Sequence, residues 1–527
     1  MFRPTEEEFL AAAQSTGDEG SGVVIPVLCR LALDEETPIS LFRKLVGDGP
    51  GYLLESLTGG EQVARYSFVG AEPVRRLVRQ EDRTVVERWE PESAAWQKTA
   101  DSLPDPFAAL RDFVGRHRFE SLPELPRFSG GAVGFLGYDA VRHLEHLPDA
   151  PPADFDIPEA CFLDCGLIAA VDHSRHALTL LAPVCLPAGA APAAAVRAYR
   201  AAVAALGRAV SRLKQPVATA PLGLDAGESL AAVRGQMEST LGQQEFESIV
   251  SRAREYILAG DVFQVVLSRR LSAPVPVEPL ELYRSLRVVS PAPYMFFFRP
   301  GFDFSLVGAS PEMLVRVEDR QAITRPLAGT RPRGKTEQED RRLADELSAD
   351  VKEQAEHTML VDLGRNDLGR VCRYGSVVVK ELMAVERHSH VMHLVSQVAG
   401  YLDRDRDPID ALAACFPAGT LSGAPKVRAM EIIDELEVCR RGPYGGAFGY
   451  LSFAGNLDTC IIIRTLVTAG ERVFLQTGAG IVADSDPAAE WQETENKARA
   501  GLTALGLAIG SARAAASGGQ FKQVDAL

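Results

Sequence analysis

QTGAGIVADSDPAAEWQETENKA, residues 476–498, joins a short apolar run to a helix start and carries acids and a lysine at helical spacing. Asp486 reads as the helix cap and Pro487 as the first helical residue, where the missing N–H costs nothing. Gly478, Ala479 and Gly480 read as a turn just ahead of that helix. Backbone N–H groups in such a turn can face an anion, because glycine holds no Cβ between the chain and a ligand. Glu490 and Glu493 stand at i, i+3 spacing, which puts both carboxylates on one helical face, and Lys497 shares that face.

A second pair, Glu353 and Glu356 in KEQAEHTML, has the same spacing. An isolated pair of this kind is usually a solvated face. Two such faces opposed could hold a hard divalent cation, and magnesium suits them because it takes a few carboxylates and keeps several waters. FPAGTLSGAPKVRAMEIIDELE, residues 416–437, supplies another loop ahead of a helix, with Gly419, Thr420, Ser422 and Gly423 before Pro425. Arg464, in the apolar run DTCIIIRTLV, reads as a cation in a buried strand, which normally needs a carboxylate partner from the protein or a ligand. Read alone, Glu312 is a strand-terminal acid in a salt bridge and His393 a histidine on a helix. The Gly loops, acidic pairs and inward arginine together point to a magnesium-assisted site for a small polycarboxylate.

The composition, 46% apolar and 24% charged over 527 residues, allows a substantial globular core. A net charge of −15 argues against nucleic acid or an anionic membrane as partner, although a local basic site can still collect an anion. There is no long uncharged apolar stretch, and the start MFRPTEEEFLAAA is acidic, so the expected compartment is the cytoplasm. Eight cysteines include no C-x-x-C; Cys161 and Cys165 read as buried free thiols. No Gly-x-Cys-x-Gly setting of a glutamine-hydrolysing subunit is present. Residues 187–214 read as an Ala-rich amphipathic helix and 214–229 as a linker between an N-terminal region, 1–213, and a catalytic region, 230–510. The tail, 511–527, is expected to be mobile.

GDVFQVVLSRR, SPAPYMFFF, VGASPEMLVR, RPLAGTRPRG, AEHTMLVDLGRNDLGRV, VMHLVSQV, GTLSGAPKVRAM and TGAGIVADSDPAAEWQETENKA, in that order, resemble the chorismate-utilising enzymes over about residues 246–505. Within them the chain is most similar to the large aminating subunit of anthranilate synthases, component I, and LLESLTGGEQVARYSFVG carries the likeness into the first seventy residues. Aminodeoxychorismate synthases carry a lysine nucleophile in a PIKGT segment; here the segment is Pro326-Leu327-Ala328-Gly329-Thr330. Isochorismate and salicylate synthases carry a lysine base for water where this chain has Gln264. Ammonia has its own lone pair and needs no such base.

The resemblance implies an α+β fold of two facing antiparallel sheets with helices outside. It implies Mg2+ on Glu356 and Glu493 with Glu353 and Glu490 supporting, Glu312 as the acid for the chorismate C4 hydroxyl, and His393 in the pyruvate-releasing half, with Thr420 and Gln264 completing the catalytic set. Gly329, Thr330, Tyr444, Arg464, Gly478, Ala479, Gly480 and Lys497 correspond to chorismate contacts. Glu55, Ser56, Pro293, Tyr294 and Met295 correspond to a tryptophan pocket for feedback inhibition. The implied reaction takes chorismate and ammonia through 2-amino-2-deoxyisochorismate to anthranilate and pyruvate, the ammonia coming from glutamine through a partner amidotransferase, component II, in a hetero-oligomer. Two other readings stay open: an enzyme that stops at the aminated intermediate, and a catalytically silent tryptophan-sensing partner of an amidotransferase.

Overall fold

In the strand Tyr294–Phe302, successive side chains go to opposite faces: Phe296 and Phe298 join one buried cluster, Met295 and Phe297 another. A strand apolar on both faces must be covered on both, and this sets the layering. The computed structural model describes residues 2–14, 21–57, 65–115, 117–154, 156–217, 219–387 and 391–516. Its architecture is α+β, with two antiparallel sheets face to face and helices on both outer sides.

The first sheet runs from Gly22–Ala32 through Ala177–Leu186, Ala160–Asp172, Tyr66–Gln80, Gly51–Glu55, Tyr294–Phe302, Phe304–Ser310, Thr465–Ala469 and Arg472–Ile481 to Gln264–Pro274. The second leaves the other end of Ala160–Asp172 through Gly131–Leu136, Ala447–Ser452, Leu457–Ile461, Met313–Glu318 and Gln321–Thr324 to Val391–Tyr401 and Val378–Arg387. The long strands 66–80 and 160–172 serve both sheets. Strands from either side of the 214–229 segment are direct ladder neighbours: 51–55 pairs with 294–302, and 131–136 with 447–452.

Between the sheets Phe296 stacks on Phe448 with ring centroids 4.0 Å apart. Such a pair adds about 1 kcal/mol beyond its buried area. Gly308 lies opposite Phe296 in register, and a Cβ there would fall 2.1 Å from the ring, so the ring needs the bare backbone beneath it. On the first sheet's outer face, helices Pro38–Leu45, Pro192–Leu213, Pro279–Val289 and Pro487–Ala516 bury Leu41, Leu206, Leu282 and Leu502. On the second sheet's outer face, Pro106–Val114, Val351–Gly369 and Pro408–Cys415 bury Leu110, Val361 and Leu412.

The Ala-rich helix lies at Pro192–Leu213, and a further helix, Gly227–Gly235, begins inside the segment read as linker and packs on Pro487–Ala516. Helix Pro487–Ala516 itself runs into the stretch read as tail; residues 517–527 lie outside the described residues. All eight cysteines are free, and Cys161 and Cys165 are buried. Among the described residues, no helix is long and apolar enough to cross a membrane.

Candidate active site

A cleft of about 890 Å³ opens where the strands 264–274 and 472–481 meet the helices 351–369 and 487–516. That volume suits a small-molecule ligand. Residues 478–480 are not a turn: they lie within strand Arg472–Ile481, with Gly478 opposite Ser268 and Gly480 opposite Val266. Alternation overrides the glycines' turn propensity, because Ala479 and Ile481 are buried in one cluster with Val265 and Leu267. Gln476, Gly478 and Gly480 line the cleft, while Ala479 points away from it. A Cβ on Gly478 would fall 2.6 Å from the Leu267 carbonyl oxygen and 2.8 Å from the Tyr444 hydroxyl; one on Gly480 would fall 2.7 Å from Gln264 Nε2. Gly478→Ala meets fixed backbone and is expected to cost roughly 1–3 kcal/mol, read as a lowered Tm. Gly480→Ala meets the end of a flexible side chain and is expected to melt near the parent, so equal losses in the two variants would contradict this geometry.

Asp486 caps the following helix by accepting from the Ala489 N–H at 2.9 Å, which aims Glu490 and Glu493 at the cleft. Lys497 Nζ sits 2.5 Å from Glu493 Oε1 and donates to the Gly478 carbonyl at 2.9 Å. Arg464 is not within a strand. It occupies a bend between Leu457–Ile461 and Thr465–Ala469 with φ of 51°. The apolar run breaks there because Ile462 and Arg464 give their carbonyls to the Gly445 and Ala309 N–H groups. A left-handed non-glycine residue costs of the order of 1 kcal/mol and persists only where its surroundings hold it. Arg464 donates to the Lys497 carbonyl at 3.2 Å; among the described residues no carboxylate pairs with it, and burial pulls its pKa down. A desolvated cation facing a cleft suits an anionic ligand.

On the opposite wall, Asp350 caps helix Val351–Gly369 and sets Glu353 and Glu356 toward the cleft. Arg331 donates to Glu353 at 3.1 Å and Gln264 Nε2 to Glu356 at 3.3 Å, while Gln264 Oε1 is buried without a partner. Burial, with Glu353 and Glu493 adding to it, raises the Glu356 pKa; burial, with Glu493 adding, raises that of Glu490. The acids thus sense one another across the cleft. Among the described residues no three His, Cys, Asp or Glu groups gather as a metal site, and Lys497, Arg331 and Gln264 contact three of the four carboxylates. The donor set still fits a hard divalent cation, being all carboxylate oxygen with two members whose charged form burial disfavours.

Glu312 lies between strands Phe304–Ser310 and Met313–Glu318 and is 9% exposed. Burial pushes its pKa up to about 7, against the opposing pull of the Thr420 hydroxyl, which donates to Oε1 at 3.0 Å, and of Lys497. The Thr420 turn is anchored by Arg441, which is 2% exposed. Arg441 forks onto Glu437 and donates to the Leu421 and Val266 carbonyls at 2.6 and 2.7 Å, tying the turn to the strand that carries Gln264.

His393 sits in a strand, Val391–Tyr401, and not on a helix; buried Met392 and Leu394 flank it in the period-two pattern of a ladder. Its Nδ1 is 3.0 Å from the Gly329 carbonyl, which can only accept, so Nδ1 carries the proton and Nε2 is the basic nitrogen of the neutral ring. Gly329, at φ of 64°, and Tyr444 also line the cleft. Thr330 lies in strand Leu327–Pro332, and its side chain is outside the described set. Lys352, Gln476 and Thr477 line the cleft as well. Sequence reading passed over them, although Gln476 keeps the strand period with Gly478 and Gly480 and Lys352 adjoins Glu353.

A second cavity, of about 120 Å³, lies between the sheets and is bordered by Glu55, Ser56, Pro293, Tyr294 and Met295. Glu55 and Met295 are ladder partners whose side chains turn outward: Glu55 accepts from the Tyr283 hydroxyl at 2.5 Å and from Arg287 at 3.1 Å, and Met295 packs in the helix-covered cluster. Tyr294 turns inward and donates to Asp458 at 2.9 Å. Pro293 borders both cavities.

The chorismate binding enzyme family model matches residues 50–503. Anthranilate synthase component 1 of Acetivibrio thermocellus is 43% identical over 509 residues, covering 96% of this chain and 99% of its own. The protein of that name from Pseudomonas putida is 46% identical over 489 residues, 92% of this chain and 96% of its own. The crystal structure of anthranilate synthase component I from Streptococcus pneumoniae TIGR4 has a TM-score of 0.70 to this fold at 34% identity, covering 90% of this chain and 99% of that one.

Proposed function

Because the chain belongs to the chorismate binding enzymes, we propose that it is the aminating component of an anthranilate synthase, turning chorismate and ammonia into anthranilate and pyruvate as the committed step toward tryptophan. The observation that carries this reading is the buried, hydrogen-bonded Glu312 in a cleft where position 264 holds glutamine and not a base for water. Arg464, Lys497 and the bare backbone at Gly478 and Gly480 offer donors to the substrate carboxylates. Glu312, protonated near neutral pH, gives its proton to the C4 hydroxyl, which leaves as water while ammonia adds at C2 and the ring double bonds shift. Thr420 fixes Oε1, leaving Oε2 to carry the proton. His393 Nε2 then takes the C2 proton; the enolpyruvyl C–O bond breaks, the ring becomes aromatic, and the departing enolate takes up one proton at its methylene carbon to become pyruvate, which balances the proton removed from C2.

Glu356 and Glu493, supported by Glu353 and Glu490, would hold Mg2+, which when bound neutralises charge at the ring carboxylate. Glutamine serves only through a partner amidotransferase, component II, in a cytoplasmic hetero-oligomer, and the inter-sheet cavity is the tryptophan site. Pro293, common to both cavity walls, is a physical link between effector and substrate. Ser56→Ala is expected to raise the tryptophan concentration for half-inhibition about tenfold, about 1.4 kcal/mol of effector binding, while ammonia-dependent kcat stays near the parent's. Unchanged inhibition would move the effector site elsewhere.

The test of the whole reading is to incubate the purified chain with chorismate, Mg2+ and an ammonium salt at mildly alkaline pH, following anthranilate fluorescence and pyruvate. Both should form, and glutamine should replace ammonium only after an amidotransferase is added. Accumulation of an aminated product without pyruvate would support the shortened reaction, and no consumption of chorismate would support a silent sensor.

A further inference from the structure

Glu312 borders a second space besides the cleft. Behind it lies a chamber of about 50 Å³, lined by Thr324, Arg325, Leu363, Gly364 and Thr420. On the chamber wall Thr324 is 7% exposed and its hydroxyl has no hydrogen-bond partner; the Arg325 Nε is likewise buried and unpartnered. The outer lip, formed by Arg325, Leu363 and Gly364, is half-exposed. Glu312, Leu360 and Thr420 line both spaces, and the chamber has its own half-exposed lip apart from the substrate cleft. The rest of the wall is mainly apolar, among it Met313, Leu360 and Ile461, so the polar groups Thr324, Arg325, Thr420 and Glu312 are where water would be held. A buried hydroxyl is seldom left unpaired, and its usual partner in a space large enough for more than one molecule is water.

We propose that this chamber is the proton entry of Glu312: a short water chain from the surface, passing Thr324 Oγ1, that returns a proton to the carboxylate in every turnover. The inference rests on Glu312 acting as the acid of the amination. In that step the Glu312 O–H bond breaks, its proton joins the C4 hydroxyl, and water leaves, so the carboxylate must regain one proton before the next chorismate reacts. Solvent acid supplies it, and the proton released as the ammonia adduct becomes an amine restores the balance in solution. Under saturating substrate the cleft is refilled at once. A rear path is then the one that stays open. Arg325, paired with Glu386, and Asp367, paired with Lys426, are the other charged groups on the chamber wall.

Thr324→Val keeps the shape and removes the hydroxyl; Gly364→Ala places a Cβ 3.0 Å from Thr324 Oγ1 and crowds the position where water would meet that hydroxyl. Both are expected to lower kcat about tenfold with the KM for chorismate unchanged and Tm no lower, and to make kcat rise with the concentration of a small buffer acid such as imidazolium. A purely structural role would move Tm and leave buffer dependence untouched. Thr324→Ser, which keeps the hydroxyl, is expected to restore buffer-independent turnover. Parent kcat without buffer dependence in Thr324→Val, alongside an inactive Glu312→Gln, would overturn the proton entry and leave the acid assignment standing; an active Glu312→Gln would remove the reading beneath both.

Discussion

Glu312→Gln is expected to lose roughly two to four orders of magnitude in kcat/KM and, at pH 8, to melt above the parent. The two effects share one cause. Burial lifts the Glu312 pKa from 4.5 to about 7, so the native state keeps a proton that the unfolded chain has already released. Below pH 4.5 both states are protonated and nothing is lost; between 4.5 and about 7 native stability falls as pH rises; above about 7 the penalty is complete. At about 1.4 kcal/mol per pKa unit that penalty is about 3 kcal/mol, and glutamine, which cannot ionise, escapes it. The same proton gives the rate its pH dependence. Protonated Glu312 is depleted as pH rises through about 7, whereas free ammonia is depleted as pH falls, so ammonia-dependent turnover should be bell-shaped. Its basic limb should report Glu312. A Glu312→Gln variant with parent turnover, or one that melts lower at pH 8, would contradict the assignment of a buried neutral acid.

The acidic helices were legible in sequence because their signals are local: Asp486 caps the second of them, and i, i+3 spacing alone fixes which carboxylates share a face, whereas the Asp350 cap of the first was passed over. What was misread depended on partners distant in the chain. Gly478 to Gly480 has turn residues, yet pairing with residues 266–268 makes it strand and turns Ala479 away from the site. DTCIIIRTLV reads as one apolar run around Arg464; the bend there goes with the Gly445 N–H donating to the Ile462 carbonyl and the Ala309 N–H to that of Arg464. His393 is strand because 391–401 lies between two ladders. The outward direction of Glu55 and Met295 likewise follows from their mutual register, which no local pattern in either segment encodes. The chamber behind Glu312 joins Thr324, Gly364 and Thr420 from three separate elements, and it has no motif at all.

The second large effect concerns the acidic pairs. Glu356→Gln and Glu493→Gln are each expected to lower turnover by roughly two to three orders of magnitude, because losing one hard oxygen donor removes several kcal/mol of charge stabilisation. Folding should survive. Burial and Glu353 already raise the Glu356 pKa, so its charge is a burden to the free protein, and glutamine can still accept the Gln264 amide hydrogen. Activity alone would not separate a lost metal from a displaced substrate, so the decisive readout is binding. Calorimetric titration of Mg2+ into the parent with chorismate present should show heat that EDTA abolishes and both variants lack. Lys497 sharpens the case, since its ammonium now neutralises Glu493 and a metal would compete for that carboxylate. Lys497→Met should therefore tighten Mg2+ while weakening chorismate, a divergence expected only if Glu493 turns from lysine to metal when the site fills. Full turnover in EDTA, or unaltered Mg2+ heats in both glutamine variants, would leave the four acids as mutual neighbours of the substrate and nothing more.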